Sequence, residues 1–190
     1  MPRRGRKVPL LKGDEVKYFF DTEFIEDGKT IDLLSIGIVA EDGRELYAEV
    51  DQRDVDHERA DPWVKKHVIA HLWHRQKDKT EFNGWTRDGG IGGLLRRSEI
   101  AREVRVFVGV SVTSPEFWAY YADYDWVVLC QLFGRMIDLP KGWPMYCRDV
   151  KQLCDSLGTP QLPEPTNEHH ALADARWVKQ AHAFLEGLPR

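Results

Sequence analysis

The stretch Ile31–Ala40, IDLLSIGIVA, constrains this chain more than any other. It is almost continuously apolar, and it is shorter than the roughly 18 residues a membrane span needs. A run of this kind is a central strand, covered on both faces. Its flanks identify its neighbours. Val16–Phe20 is apolar and aromatic and reads as a first strand. Glu41–Arg44 carries an Asp-Gly turn signal, and Arg44–Val50 alternates as the returning strand of a hairpin. The chain therefore opens with a three-strand meander.

From Asp61 the period changes. Asp61 stands at an N-cap position and Pro62 at the first helical one. Trp63, Val64, His67, Val68, His71 and Leu72 follow at helical spacing. Residues 74–97 are polar and glycine-rich, and they predict a long surface loop with Arg75, Lys77, Lys79, Arg87, Arg96 and Arg97 available to phosphates. Ser98 is expected to cap a second helix. Glu116–Tyr121 reads as a fourth strand and Asp123–Met136 as a helix with Asp123 as its cap. Pro144–Asp149 reads as a short fifth strand and Asp149–Gly158 as a helix. After a bend rich in proline comes a last helix over Glu168–Leu185. A meander followed by strands joined through helices predicts an α/β fold, a ribonuclease H-like mixed five-stranded sheet flanked by helices.

A chain of 190 residues, 42% apolar, suits one domain over 16–190 behind a basic tail, 1–15, expected to be disordered. The net charge of −4 is uneven. Residues 1–17 hold six Lys/Arg against Asp14 and Glu15, so the remainder carries −8. That balance argues against a chain gripping nucleic acid by bulk positive charge, and it leaves room for an enzyme making few phosphate contacts. Cys130, Cys147 and Cys154 are odd in number and form no CxxC pair. They read as reduced thiols of a cytoplasmic protein, with no disulfide framework or zinc site. No signal-peptide block and no membrane span are expected.

Three polar clusters interrupt these elements. Asp21 and Glu23 directly follow the aromatic Tyr18-Phe19-Phe20. Residues i and i+2 of a strand share a face, so the two carboxylates project together. Their repulsion raises a pKa unless a cation neutralises them, and hard divalent ions such as Mg²⁺ or Mn²⁺ suit such a pair. Asp125 falls in the first turn of a helix just after a strand, in YADYDWVVL, where an acid also complements the helix dipole. His169, His170 and Asp174 sit at the start of the last helix, in EHHALAD. His170 and Asp174, at i and i+4, share a helix face. His169 reaches the same side only from a segment preceding the helix.

Each cluster alone has an ordinary explanation as a solvated turn or a cap. Together, in this order and at these intervals, they resemble the three motifs of the DEDDh family of 3′–5′ exonucleases: Asp21-Thr22-Glu23, Asp125 in YDWVVL, and HxAxxD at His169–Asp174. The similarity spans about residues 16–186. It is closest to the bacterial and phage polyadenylate-specific 3′-exoribonuclease branch. Where many members read DTExTG, this chain has Phe24-Ile25-Glu26 after Glu23.

The resemblance implies a metal-dependent hydrolase that removes nucleoside 5′-monophosphates from the 3′ ends of single-stranded RNA, with a preference for poly(A). It implies two Mg²⁺ or Mn²⁺ ions at Asp21, Glu23, Asp125 and Asp174, with His169 as general base; helical facing alone points instead to His170. Thr22, Phe24, Trp63 and Tyr124 become candidate substrate contacts, with aromatic rings stacking on bases. Trp118 and Trp126 are further aromatics near the motifs. A homodimer is expected. The alternatives are a 3′–5′ deoxyribonuclease of the proofreading type and a catalytically silent nucleic-acid-binding module.

Overall fold

The computed structural model describes residues 16–72, 93–109 and 114–189. The tail 1–15 and most of the expected loop, with Arg75, Lys77, Lys79 and Arg87, lie outside them. The meander forms as its pattern demands. Strand β1 (Lys17–Glu26), β2 (Ile31–Ala40) and β3 (Glu45–Val50) are antiparallel, with Phe20 opposite Ile38 and Ile38 opposite Leu46. Then follow helix α1 (Pro62–His67), the two-residue strand β4 (Leu94–Leu95), helix α2 (Arg97–Val108), strand β5 (Glu116–Ala119), helix α3 (Asp123–Gln131), strand β6 (Arg148–Asp149), helix α4 (Val150–Ser156) and helix α5 (Ala171–Glu186). The sheet order is β4-β3-β2-β1-β5-β6, with β5 and β6 parallel to β1 and to each other. This is the ribonuclease H-like arrangement, with six strands where the sequence pattern showed five. The extra strand, β4, lies within the stretch read as loop and pairs with Glu49 and Val50 of β3.

The two faces of the sheet part along the alternation of β1. Tyr18 and Phe20 join Ile36, Ile38, Leu46 and Ala48 in the larger core, under Ile100, Val104 and Val108 of α2 and Val128 and Leu129 of α3. Phe19 points the other way, toward Val150 and Cys154 of α4 and Val178, Ala181 and Leu185 of α5. Val39 and Tyr47 meet Ala171, Leu172 and Ala175 of α5 on this second face. The three thiols are free, and no helix among the described residues is long and apolar enough to cross a membrane.

Several boundaries differ from expectation. β1 does not stop at Phe20. It runs on to Glu26 because β2 pairs with it throughout, with one bulge between Glu23 and Phe24. Asp21 and Glu23 are therefore inside the strand. α1 is as capped as DPW predicted, Asp61 accepting from the N–H groups of Trp63 and Val64, yet it breaks after His67 into a short 3₁₀ turn. α2 starts at Arg97 instead of after Ser98, because the Glu99 carboxylate reaches back to the Arg96 N–H at 2.8 Å. Asp123 is the first residue of α3, which ends at Gln131, and makes no side-chain cap. The fourth and fifth strands are shorter than read, and α5 begins only at Ala171, with His170 as its N-cap.

Candidate active site

β5 pairs with β1 only at Lys17–Phe19 and ends at Ala119. Beyond that point one edge of β1 is uncovered, and the chain turns into α3. Asp125, in the first turn of α3, closes this edge. Its Oδ1 accepts from the Thr22 N–H at 2.8 Å and from the Thr22 hydroxyl at 2.6 Å. A strand N–H without a ladder partner is thereby satisfied by a carboxylate. Thr22, a candidate substrate contact, is buried, donates its hydroxyl to Asp125, and borders the cavity that holds the acids.

On the opposite face of β1, Asp21 and Glu23 look toward the start of α5. Their strand partners on β2 are Gly37 and Ser35. Gly37 matters because the α5 backbone lies directly on it: a Cβ there would sit 2.3 Å from the Ala171 carbonyl oxygen. That close approach lowers the first turns of α5 onto the sheet. Among the described residues, Asp21, Glu23 and Asp174 bring one carboxylate oxygen each within 4.8 Å of one another. Asp125 lies outside that trio, yet it lines the same cavity and its charge acts on both Asp21 and Glu23.

The electrostatics are those of anions crowded together. Burial pushes Glu23 up to about 8, helped by the charges of Asp174 and Asp125. Asp21 is raised well above the usual carboxylate range by burial and by the other three acids. Burial lifts Asp174 to about 6 against the stabilising His170 N–H, and Asp125 to about 6 against its bonds from Thr22. Four carboxyls that cannot ionise together without help, three of them within reach of one ion, fit a hard divalent cation with oxygen ligands.

This has a measurable consequence. A carboxyl that holds its proton up to about 8 in the folded state, against 4.5 for an ordinary Glu, makes the folded protein bind more protons than the unfolded chain between those values. Stability of the metal-free protein then falls as pH rises through that window. Glu23→Gln is expected to flatten the fall and to raise the metal-free melting temperature at pH 8 by roughly 5 °C, about 2 kcal/mol. Mn²⁺ should raise the wild-type melting temperature more at pH 8 than at pH 5. Calorimetric scans with and without chelator check both, and a metal-free stability that increases with pH would contradict the clustered acids.

The histidines separate cleanly. His169 has φ of +66°, a left-handed conformation uncommon outside glycine. It lines the cavity with the acids, and its ring meets the edge of Trp63 at 4.8 Å between centroids. His170 turns the other way. Its Nδ1 accepts from the Ala173 N–H at 3.4 Å, its backbone N–H donates to Asp174 Oδ2 at 3.0 Å, and its ring stacks on Tyr47 at 4.8 Å and 16°. Helical facing had favoured His170; α5 starts one residue too late for that reasoning to apply.

The cavity, of about 520 Å³, is walled by rings. Phe24 stacks on Tyr124 at 5.9 Å and 14° on one side, and Tyr120, Tyr121 and Trp177 line another. Tyr124 and Tyr121 are more than half exposed. Trp63 does not line the cavity and braces His169 instead. Trp126 is core, against Phe20 and Phe117, and Trp118 packs on His182. Arg96 and Arg97, read from the sequence as available to phosphates, are ion-paired with Asp54 and Asp32. Sequence reasoning missed Tyr120, Tyr121 and Trp177. Trp177 carried a signal, three residues beyond Asp174 and so on its helix face; the two tyrosines carried none beyond closing a strand.

The chain was compared with known proteins. Residues 16–185 match the family described as the 3′-5′ exoribonuclease Rv2179c-like domain. The 3′-5′ exoribonucleases named Rv2179c and MT2234.1, from two strains of Mycobacterium tuberculosis, are each 42% identical over 163 residues, covering 85% of this chain and 88% of theirs. A solved structure of S. pombe Pop2p, in a form bound to Mg²⁺ and Mn²⁺, is 14% identical with a TM-score of 0.42, covering 90% of this chain and 81% of that one.

Proposed function

This chain belongs to the Rv2179c-like family of 3′-5′ exoribonucleases, a DEDDh-type family, and from that premise we propose that it hydrolyses single-stranded RNA from the 3′ end, one nucleoside 5′-monophosphate at a time. The observation that carries the reading is the convergence of Asp21, Glu23 and Asp174 within 4.8 Å, beside Asp125 and His169 in one aromatic-walled cavity.

Asp21, Glu23 and Asp174 would hold the first of two divalent ions, with Asp21 shared and Asp125 completing the second. Bound there, Mg²⁺ or Mn²⁺ supplies charge neutralisation at phosphorus and stabilisation of the leaving 3′-oxygen. The chain's own residues do the rest. His169 accepts the proton of the attacking water, and Trp63 limits the swing of its ring. Asp125, held by Thr22, lines the same cavity as the trio. Phe24 with Tyr124, and Tyr120 with Tyr121 and Trp177, offer stacking surfaces for the terminal bases, each worth about 1–3 kcal/mol. Stacking tolerates any base, and the poly(A) preference is the part of the reading that the homopolymer assay decides. The reading includes a cytoplasmic homodimer, which sedimentation of the purified chain tests.

The deciding assay is digestion of 5′-labelled homopolymer RNAs and matched DNA with Mg²⁺, Mn²⁺ or chelator. Expected are a one-nucleotide ladder shortening from the 3′ end, loss of all cleavage with chelator, RNA ahead of DNA, and poly(A) ahead of poly(U). Internal fragments, or binding without turnover, would overturn the reading. His169→Gln is expected to lower kcat by about 10²-fold at saturating Mn²⁺.

A further inference from the structure

The tandem histidine leaves one imidazole without a part in the chemistry, and its surroundings assign it one. His170 stands between the motif that carries Asp174 and the far side of the sheet. It makes three contacts at once. Its backbone N–H donates to Asp174 Oδ2 at 3.0 Å, its ring Nδ1 accepts from the Ala173 N–H, and its ring lies flat on Tyr47. Tyr47 is buried, and its hydroxyl donates to Oε1 of Glu49 at 2.7 Å, an acid with no exposure at all. Glu49 and Tyr47 face Ser35 and Gly37 across β2, which in turn face Glu23 and Asp21 across β1. The row of side chains under α5 thus runs from the metal-binding acids through Ser35 and Gly37 to a tyrosine that stacks on His170 and the glutamate bonded to that tyrosine.

The preceding residue shows what this stacking restrains. His169 is left-handed, at a cost of about 1 kcal/mol for a residue with a Cβ. That step sends the two adjacent rings in opposite directions, His169 into the cavity and His170 onto β3. Such a conformation persists where the surroundings over-determine it. Here they are Trp63 on the ring of His169 and Tyr47 on the ring of His170. Burial lowers the affinity of His170 for a second proton, as an Nδ1 that accepts a hydrogen bond requires.

We infer that His170, its ring seated on Tyr47, is a positioning residue: it holds His169 in its left-handed step and Asp174 in its orientation, so that base and metal-binding acid meet at the same point. The inference rests on the nuclease reading. Misplacement of a reacting group by about 1 Å can cost as much as 10²-fold in rate.

The test compares His170→Ala, His170→Asn, Tyr47→Leu and Tyr47→Phe in the full chain, by steady-state hydrolysis of an RNA oligomer at saturating Mn²⁺ and by calorimetric Mn²⁺ titration. Asn keeps an N-cap acceptor and so keeps the helix start, which guards against simple unfolding. Expected is a kcat lowered at least 10-fold in His170→Ala, His170→Asn and Tyr47→Leu with KM unchanged. Mn²⁺ affinity should weaken several-fold, and Tyr47→Phe, which retains the stacked ring, should stay within threefold of wild type. Lowered melting temperatures with wild-type kcat and Mn²⁺ affinity would overturn the positioning role and leave the nuclease reading standing. Should the wild type itself lack turnover, the nuclease reading fails and the Mn²⁺ titration decides the positioning role: equal affinity in wild type and His170→Asn overturns it.

Discussion

Asp21→Asn is expected to lower RNA hydrolysis by about 10³-fold or more, the scale of several kcal/mol of lost charge stabilisation at phosphorus, while the protein stays folded. Both halves follow from the same crowding. Asp21 is the acid on which the other three converge, since Asp125, Glu23 and Asp174 all raise its pKa beyond what burial does. Removing its charge leaves only a neutral amide oxygen beside Glu23 and Asp174, a much weaker donor for a hard divalent cation. It also removes a repulsion that the metal-free protein carries. The variant should therefore bind Mn²⁺ weakly, turn over negligibly, and melt in chelator no lower than wild type. Initial rates at saturating Mn²⁺, with scans in chelator, check this. Rates within tenfold of wild type would mean the acids hold no ion that matters to the reaction.

Gly37→Ala is expected to have the largest effect on the fold. An added Cβ would lie 2.3 Å from the Ala171 carbonyl oxygen and 2.4 Å from the Leu172 nitrogen, both backbone atoms in the first turn of α5. Neither can rotate away as a side chain could, so strand and helix must separate. Overpacking of this kind costs about 3 kcal/mol or more, which corresponds to a melting temperature lower by roughly 6–12 °C. Because Gly37 is the strand partner of Asp21, the same displacement lifts Asp174 away from it. Activity should fall at least tenfold even at temperatures where the variant is folded. A variant with unchanged melting and unchanged rate would show that α5 does not sit where the trio requires.

Much of this was open to reading before the chain folded. The central strand β2, the hairpin through Asp42-Gly43 and the Asp61-Pro62 helix start are local matters of period and turn chemistry, and they appear as the pattern indicates. So does the shared face of Asp21 and Glu23, which the two-residue period of a strand imposes. The order of the three acidic motifs was legible as well, and with it the family.

Other features depend on partners far along the chain. The end of β1 is set by pairing with β2, and the start of α5 by the Asp174 carboxylate and the Tyr47 ring. The sequence alone determined which chemistry the chain carries: four carboxylates and a histidine pair in a fixed order on an α/β frame. Only the tertiary structure decided which histidine faces the acids, that Asp125 is anchored by Thr22, and which rings wall the cavity. The reason is that side-chain period is a local property of one element, whereas convergence depends on how closely two elements approach. Here that distance is set by a missing Cβ at Gly37 and a left-handed step at His169.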